Sequence, residues 1–269
     1  MHIGQAHSDS VKMPLLFLGH GSPMNAIEEN RFVDGFRKIA KTLPQPQSII
    51  CISAHWYTNG TRVTSMVTPR TIHDFIGFPG RLYEVQYPAK GNPVLAGEVK
   101  NLLMPINVEL DENWGLDHGA WSVLKHLFPE ANIPVIQLSI DYTQPASYHY
   151  KLAQQFVSLR EKGILIIGSG NIIHNLGLVD FQNMDKHNYG YDWALEAREL
   201  INNNLLTGNY EPLIDYQKQT RAMQLAIPTP DHYIPLIYIL GLQLEGENIT
   251  LFNDELIAGS LSMTSLKIN

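Results

Sequence analysis

The chain has 269 residues, 44% of them hydrophobic, with one cysteine and 26 acidic against 19 basic side chains. That length and apolar content support one large α/β domain, the lone cysteine rules out an internal disulfide framework, and the acidic excess leaves no electrostatic footprint for nucleic acid. No apolar run reaches the roughly 18 residues of a membrane span, and residues 1–12 (MHIGQAHSDSVK) carry no apolar signal segment, so a cytoplasmic protein is expected, with a frayed tail at 1–12 and a single domain over 13–269.

The first element is read from Met13 to Asn25, MPLLFLGHGSPMN. Its apolar residues stop at Gly19, His20 follows, and Gly21, Ser22 and Pro23 cannot continue a strand. The pattern predicts a buried strand that delivers the His20 imidazole to its carboxyl end, where open α/β sheets place their ligands. Glu28–Leu43 carries Phe32, Phe36, Ile39, Ala40 and Leu43 at helical spacing and is closed by Pro44 and Pro46. Ser48–Ser53 (SIICIS) predicts a second buried strand, with Cys51 inside it as an inert thiol, ending at Ala54, His55 and Trp56. Thr61–Val67 alternates like an edge strand. Residues 69–92 form a long loop of the kind that tends to carry function.

Pro93–Leu103 predicts a short helix with Pro93 in its first turn, and Ile106–Leu110 a strand. Asp117 is a candidate N-cap for a helix through Leu127, which places His118 in the first turn. Strand Ile133–Ile140 and helix Ser147–Lys162 follow. The run Gly163–Gly168 ends at Gly168-Ser169-Gly170-Asn171, with His174 in the first turn of what comes next. Tyr191–Leu205 predicts a helix, Leu213–Ala226 another, residues 232–242 a buried helix entered through Pro230-Asp231-His232, and Ile257–Ile268 a closing strand. Strands alternating with helices predict a three-layer α/β/α sandwich around a mostly parallel or mixed sheet.

His20, His55, His174 and His232 therefore sit where strands end or helices begin, junctions that a parallel sheet gathers along one edge. His2, His7, His126, His149 and His187 lack that bracketing by turn formers and are assigned no chemistry. Neutral imidazole suits zinc or ferrous iron, and three histidines with an open position make a catalytic rather than a structural site. No His-x-x-x-His pair is present, so such a site would be assembled from distant segments. Each imidazole can equally cap the element beside it, and the Gly168–Asn171 run can cradle a phosphate at a helix N-terminus. That run lacks both a lysine and the dinucleotide fingerprint, and Ser169 does not stand in Gly-x-Ser-x-Gly.

Five blocks, LGHGSPMNA at 18–26, SAHWYTNG at 53–60, DHGAWSVLKHLFPEANIPVIQLSID at 117–141, GSGNIIHNL at 168–176 and PTPDHYIPL at 228–236, together resemble the class III extradiol ring-cleavage dioxygenases. The likeness is to the 4,5-DOPA extradiol dioxygenase branch of bacteria and plants, and it runs from residue 14 onward with matching order and spacing. It implies metal ligation by His20, His55 and His232, with His174 as a fourth ligand or the acid–base group and His118 facing substrate or dioxygen. It implies a small-molecule catechol and O2 as partners, with no nucleic acid, membrane or obligate protein partner. The implied cofactor is one divalent metal, Fe(II) for ring opening. Zn(II) is also accommodated, because three neutral histidines replace the superfamily's usual two histidines and a glutamate. Tyr142, the Thr71–Tyr87 loop, Arg70 and Arg81 are candidates for holding a substrate carboxylate. A zinc-dependent hydrolase built on the same histidines and a non-enzymatic metal-binding module are the alternatives.

Overall fold

In the computed structural model, which describes residues 12–184 and 186–269, six runs of mostly apolar residues pair into one sheet. Of the expected tail at 1–12, all but Lys12 lies outside the described residues. The strands are β1 (Leu15–Gly19), β2 (Ser48–Ser53), β3 (Val135–Gln137), β4 (Ile164–Gly170), β5 (Ile249–Phe252) and β6 (Ser265–Ile268), and they lie in the order β3-β2-β4-β1-β6-β5. The first four in that order are parallel, whereas β6 runs antiparallel to β1 and to β5. Strands β1, β2 and β4 are buried along their whole length, which is why they read as continuous apolar runs rather than alternating ones.

Alternate side chains leave opposite faces of the sheet. Leu15, Phe17, Ile50, Ile52, Ile136 and Ile166 join one core, and Leu16, Leu18, Ile49, Cys51 and Ile167 the other. The helices are α1 (Arg31–Ala40), α2 (Pro93–Leu102), α3 (His118–Leu127), α4 (Ala146–Gln154), α5 (Asp192–Thr207), α6 (Arg221–Ala226) and α7 (Ile234–Gly241). The second core is closed by α1 and α3 through Phe32, Phe36, Trp121 and Leu124, and the remaining helices contribute to the first. A mixed sheet with helices on both sides is the expected α/β/α single domain. No helix among the described residues is long and apolar enough to cross a membrane.

Local chemistry moves several boundaries. The first helix starts at Arg31 rather than Glu28 because the Asn30 side chain accepts from the N–H groups of Phe32 and Val33. The expected helix Ser147–Lys162 divides into α4 and a 3-10 turn, Val157–Lys162, that stops at Gly163 in the left-handed region. Leu213–Ala226 is three short pieces, Glu211–Ile214, Tyr216–Lys218 and α6, the last capped by Thr220. Strand Ile133–Ile140 breaks after Gln137, and Ile140–Asp141 pairs with Tyr57–Thr58 instead. Thr61–Thr64 pairs in parallel with Val108–Asp111. The expected closing strand Ile257–Ile268 is interrupted: Leu256–Ile257 and Leu261–Ser262 form a hairpin around Ala258 and Gly259, both at positive φ, and only β6 reaches the main sheet.

The largest departure is at Gly168-Ser169-Gly170, which stays inside β4 and opens no helix; the next helical turn is a short 3-10 segment at Leu176–Leu178, beyond His174. These glycines serve close approach rather than turning. A Cβ on Gly170 would lie 2.1 Å from the His232 carbonyl oxygen, and one on Gly168 would lie 2.6 Å from that of Pro235. Bare backbone here lets the entry of α7 settle against the end of β4.

Candidate active site

Strands β1, β2 and β4 end at one edge, and backbone hydrogen bonds carry the pairing one step past them. His20 N–H donates to Gly170 O at 3.0 Å, Ala54 N–H to Ser169 O at 3.0 Å, and Asn171 N–H to His232 O at 3.0 Å. Those three bonds set His20, the residue before His55, and His232 side by side. His118 arrives from the first turn of α3, whose N-cap Asp117 accepts from Ala120 N–H at 3.1 Å, Ser53 Oγ–H at 2.6 Å and Gln137 Nε2–H at 2.7 Å. Asp117 is fully buried, and burial, followed by the nearby Asp74 charge, pushes its carboxyl up against the pull of those donors.

The ring centroids of His20, His55 and His232 form a nearly equilateral triangle with sides of 5.1, 5.3 and 5.0 Å. Two of the rings are held from outside by Nδ1. The Ser169 hydroxyl has one hydrogen, which it gives to Gly119 O at 2.5 Å, so at 3.0 Å it accepts from His20 Nδ1–H. His232 Nδ1–H donates to Asp231 Oδ2 at 2.5 Å. Both rings are thereby left with Nε2 lone pairs, the tautomer that a metal ligand needs. His20 Nε2 stands 3.2 Å from His55 Nε2.

The environment keeps His20, His55 and His174 neutral. Burial first, and then the neighbouring imidazoles, hold His20 and His55 well below the ordinary histidine range. His174 stacks on His232 with centroids 3.6 Å apart and planes 10° from parallel. Burial and the His232 charge push His174 down to about 3, with Asp231 opposing. Asp231 itself lies below the usual carboxylate range, because bonding to His232 outweighs the upward push of burial. A buried group of neutral nitrogen donors, two of them aimed at each other, suits a divalent cation.

Asp74, in the long loop, meets His118 and His55 together. Its Oδ1 accepts from the His118 backbone N–H at 2.9 Å, and its Oδ2 lies 3.0 Å from His118 Nδ1 and 3.4 Å from His55 Nδ1. Neither ring contact is aligned as a full hydrogen bond, and His118 Nδ1 has no other partner. Next to it Phe75 sets its ring edge-on to His118 at 5.5 Å, backed by Phe78 and Tyr83.

The structure thus gathers all five sequence-predicted histidines. One ligand atom from each of His20, His55 and His118 falls within 4.8 Å of the others, His232 completes the triangle of rings, and His174 lies against His232. Arg70 lines a 330 Å³ cavity that also reaches His55, Trp56 and Trp114. Tyr142 lines a neighbouring cavity of 370 Å³ with Tyr57 and Pro230. Arg81 stands on the exposed short helix Gly80–Tyr83. Sequence reasoning missed Asp74 as a site residue, although it had singled out the loop that carries it. Ser169 was considered only as a nucleophile and is instead the outer partner of His20.

Residues 14–258 match the model of the catalytic LigB subunit of aromatic ring-opening dioxygenase. The chain is 46% identical over 263 residues to a 4,5-DOPA dioxygenase extradiol of Escherichia coli K12, covering 96% of each protein. It is 35% identical over 267 residues to the protein of the same description from Beta vulgaris, covering 96% of this chain and 97% of that one. A crystal structure of an uncharacterized Escherichia coli K12 protein superposes with a TM-score of 0.83 at 42% identity, covering 96% of this chain and all of the other.

Proposed function

As a member of the family of catalytic LigB subunits of aromatic ring-opening dioxygenases, the chain is an extradiol ring-cleaving enzyme, and we propose that its substrate is DOPA or a similar catechol. We take residues 13–269 as one catalytic unit, a reading supported by the pairing of the first strand with the last. A cytoplasmic setting fits a chain whose one cysteine, Cys51, is a buried free thiol.

The observation that carries the site assignment is the triangle of rings. His20, His55 and His232 would hold one divalent metal, with His174 beside His232 as a fourth ligand or as the proton carrier. When bound, such a metal supplies a Lewis acid that favours the catecholate and, as ferrous iron, a redox capacity that zinc lacks. A second ligand set, with His118 in place of His232, is favoured by the grouping of its ligand atom with those of His20 and His55.

The protein's own contribution is proton handling and shape. Neutral His174 accepts a hydrogen bond from a catechol hydroxyl, and its low proton affinity means that a proton taken up there is passed on rather than retained. Asp231 is the nearby carboxylate that offsets a transient positive charge on that ring. The Phe75 edge and the His118 ring supply an aromatic wall against which a planar diol can lie.

Oxygen consumption across a panel of DOPA, protocatechuate and caffeate tests this reading. The iron-loaded protein is expected to take up O2 and form a yellow product, and the zinc-loaded protein to do neither. Equal turnover by the zinc form, or ester or amide cleavage without uptake, would overturn it.

A further inference from the structure

Among the described residues, the carboxylate of Asp74 is the acidic group that reaches both a ring of the proposed metal triangle and His118. Its Oδ2 faces two Nδ1 atoms at 3.0 and 3.4 Å, and its other oxygen is committed to the His118 backbone N–H at 2.9 Å. An imidazole nitrogen presenting a lone pair to a carboxylate oxygen at such distances is repelled, whereas one bearing hydrogen is attracted, whether or not the bond is well aligned. The two rings are themselves close, with centroids 3.8 Å apart, so one oxygen lies within reach of both.

We infer that Asp74 is a positioning residue that fixes the Nδ1–H tautomer of His118 and favours the same tautomer in His55 once a cation separates its Nε2 from that of His20, so that Nε2 is the nitrogen each ring offers. For His55 that nitrogen is the one 3.2 Å from His20 Nε2. Ser169 and Asp231 do the same for His20 and His232 from their own strand and helix entry. Asp74 differs because it comes from the loop that also carries Phe75, so the seating of one loop sets both the tautomers and the aromatic wall. The inference rests on the proposed role of His55 as a ligand.

The inference makes Asp74→Asn more damaging to metal binding than Asp74→Ala. In the asparagine variant the His118 backbone N–H retains the amide oxygen, which turns the amide N–H₂ toward the two Nδ1 atoms and drives the rings to the Nε2–H form. Alanine removes the carboxylate without imposing the wrong tautomer. A residue that only propped up the loop would give the opposite order, with asparagine the milder change.

The test combines ring ¹⁵N shifts of the metal-free protein with Zn(II) affinity measured by chelator competition. Expected are an Nδ1–H form of His118 in the wild type, its conversion to Nε2–H in Asp74→Asn, and Zn(II) binding weakened about 10–100-fold, as for loss of an outer partner of a metal ligand. Asp74→Ala is expected to weaken it less. An Nε2–H form of His118 in the wild type, or zinc binding by the asparagine variant no weaker than by the alanine one, would overturn the inference. If the asparagine variant does not fold, the wild-type shifts decide alone. Wild-type protein that shows the Nδ1–H form of His118 but binds no zinc would instead sink the ligand reading.

Discussion

At the amino edge of the sheet Arg160 is fully buried, and its guanidinium is met on every side. Nε donates to Met13 O at 2.9 Å, Nη1 to Leu242 O at 3.0 Å and to Glu247 Oε2 at 2.8 Å, and Nη2 to Glu247 Oε1 at 2.6 Å. At the carboxyl edge the buried polar groups are imidazoles whose outer nitrogens are tied down while inner ones face each other. Both edges bury titratable side chains, but only the first gives every nitrogen of its buried group a partner. The satisfied edge joins the start of β1 to the end of α7 and serves the fold. The unsatisfied edge is held together by that fold and groups donors that could hold a cation, so removing a residue there should cost function far more than stability.

The sharpest way to break this contrast is His55→Ala. Oxygen uptake is expected to fall to background, while the metal-free protein changes in stability by no more than about 1 kcal/mol in urea unfolding, because the ring makes only a long contact with His20 Nε2 and a loose one with Asp74. Retained uptake, or a stability loss of several kcal/mol, would erase the distinction. Arg160→Met probes the other edge. It strands two carbonyls and takes from Glu247 its buried partner, leaving that carboxylate the Leu244 N–H and the half-exposed Lys12, so a loss of roughly 3–5 kcal/mol is expected. For a chain of this size that corresponds to a fall of roughly 6–20 °C in Tm. Turnover per folded molecule should stay near the wild-type value, which assays below the lowered Tm can check.

How much of this contrast could be read from sequence follows from how local each feature is. Buried strands announce themselves through runs such as SIICIS, and the histidines at their ends were visible because a strand end is a local event. The N-cap at Asp117 was legible for the same reason. Gly168-Ser169-Gly170 was misread as a turn because glycine's permissiveness says nothing about whether it serves bending or contact, and the contact here is with residues about 60 positions away in the chain. Strand β5 was missed because it is incompletely buried and lies at the edge, so its pattern is weak. Asp74 and Arg160 were missed as partners for a deeper reason. A charged residue looks solvated in sequence until the fold supplies its partners, and those lie 44 and 87 positions away, at His118 and Glu247.

Acidification should separate the two edges in a single experiment on the metal-free protein. His20, His55 and His174 have folded-state affinities for protons below that of an unstructured histidine, near 6.5, so the unfolded chain binds more protons once the pH drops below that value. Stability contributed by keeping them neutral is therefore present above pH 6.5 and is lost as the pH falls, down to about 3 for His174. Glu247 is also depressed, to about 2 from 4.5: burial pushes it up, but the Arg160 bond prevails. Its contribution is present above 4.5 and is lost between there and about 2. Urea titrations from pH 8 to pH 2 in chelator should thus show a first decline beginning near 6.5, to which the imidazole edge contributes alongside the buried His126 and His149, before the Glu247 edge responds. Replacing His20 and His174 together by asparagine should make that first decline shallower and leave the later one intact, whereas Glu247→Gln should do the reverse on a lower baseline. An unchanged slope between pH 6.5 and 4.5 in the double variant would mean that the rings are already protonated in the folded protein, and the carboxyl edge would then be no site for a cation.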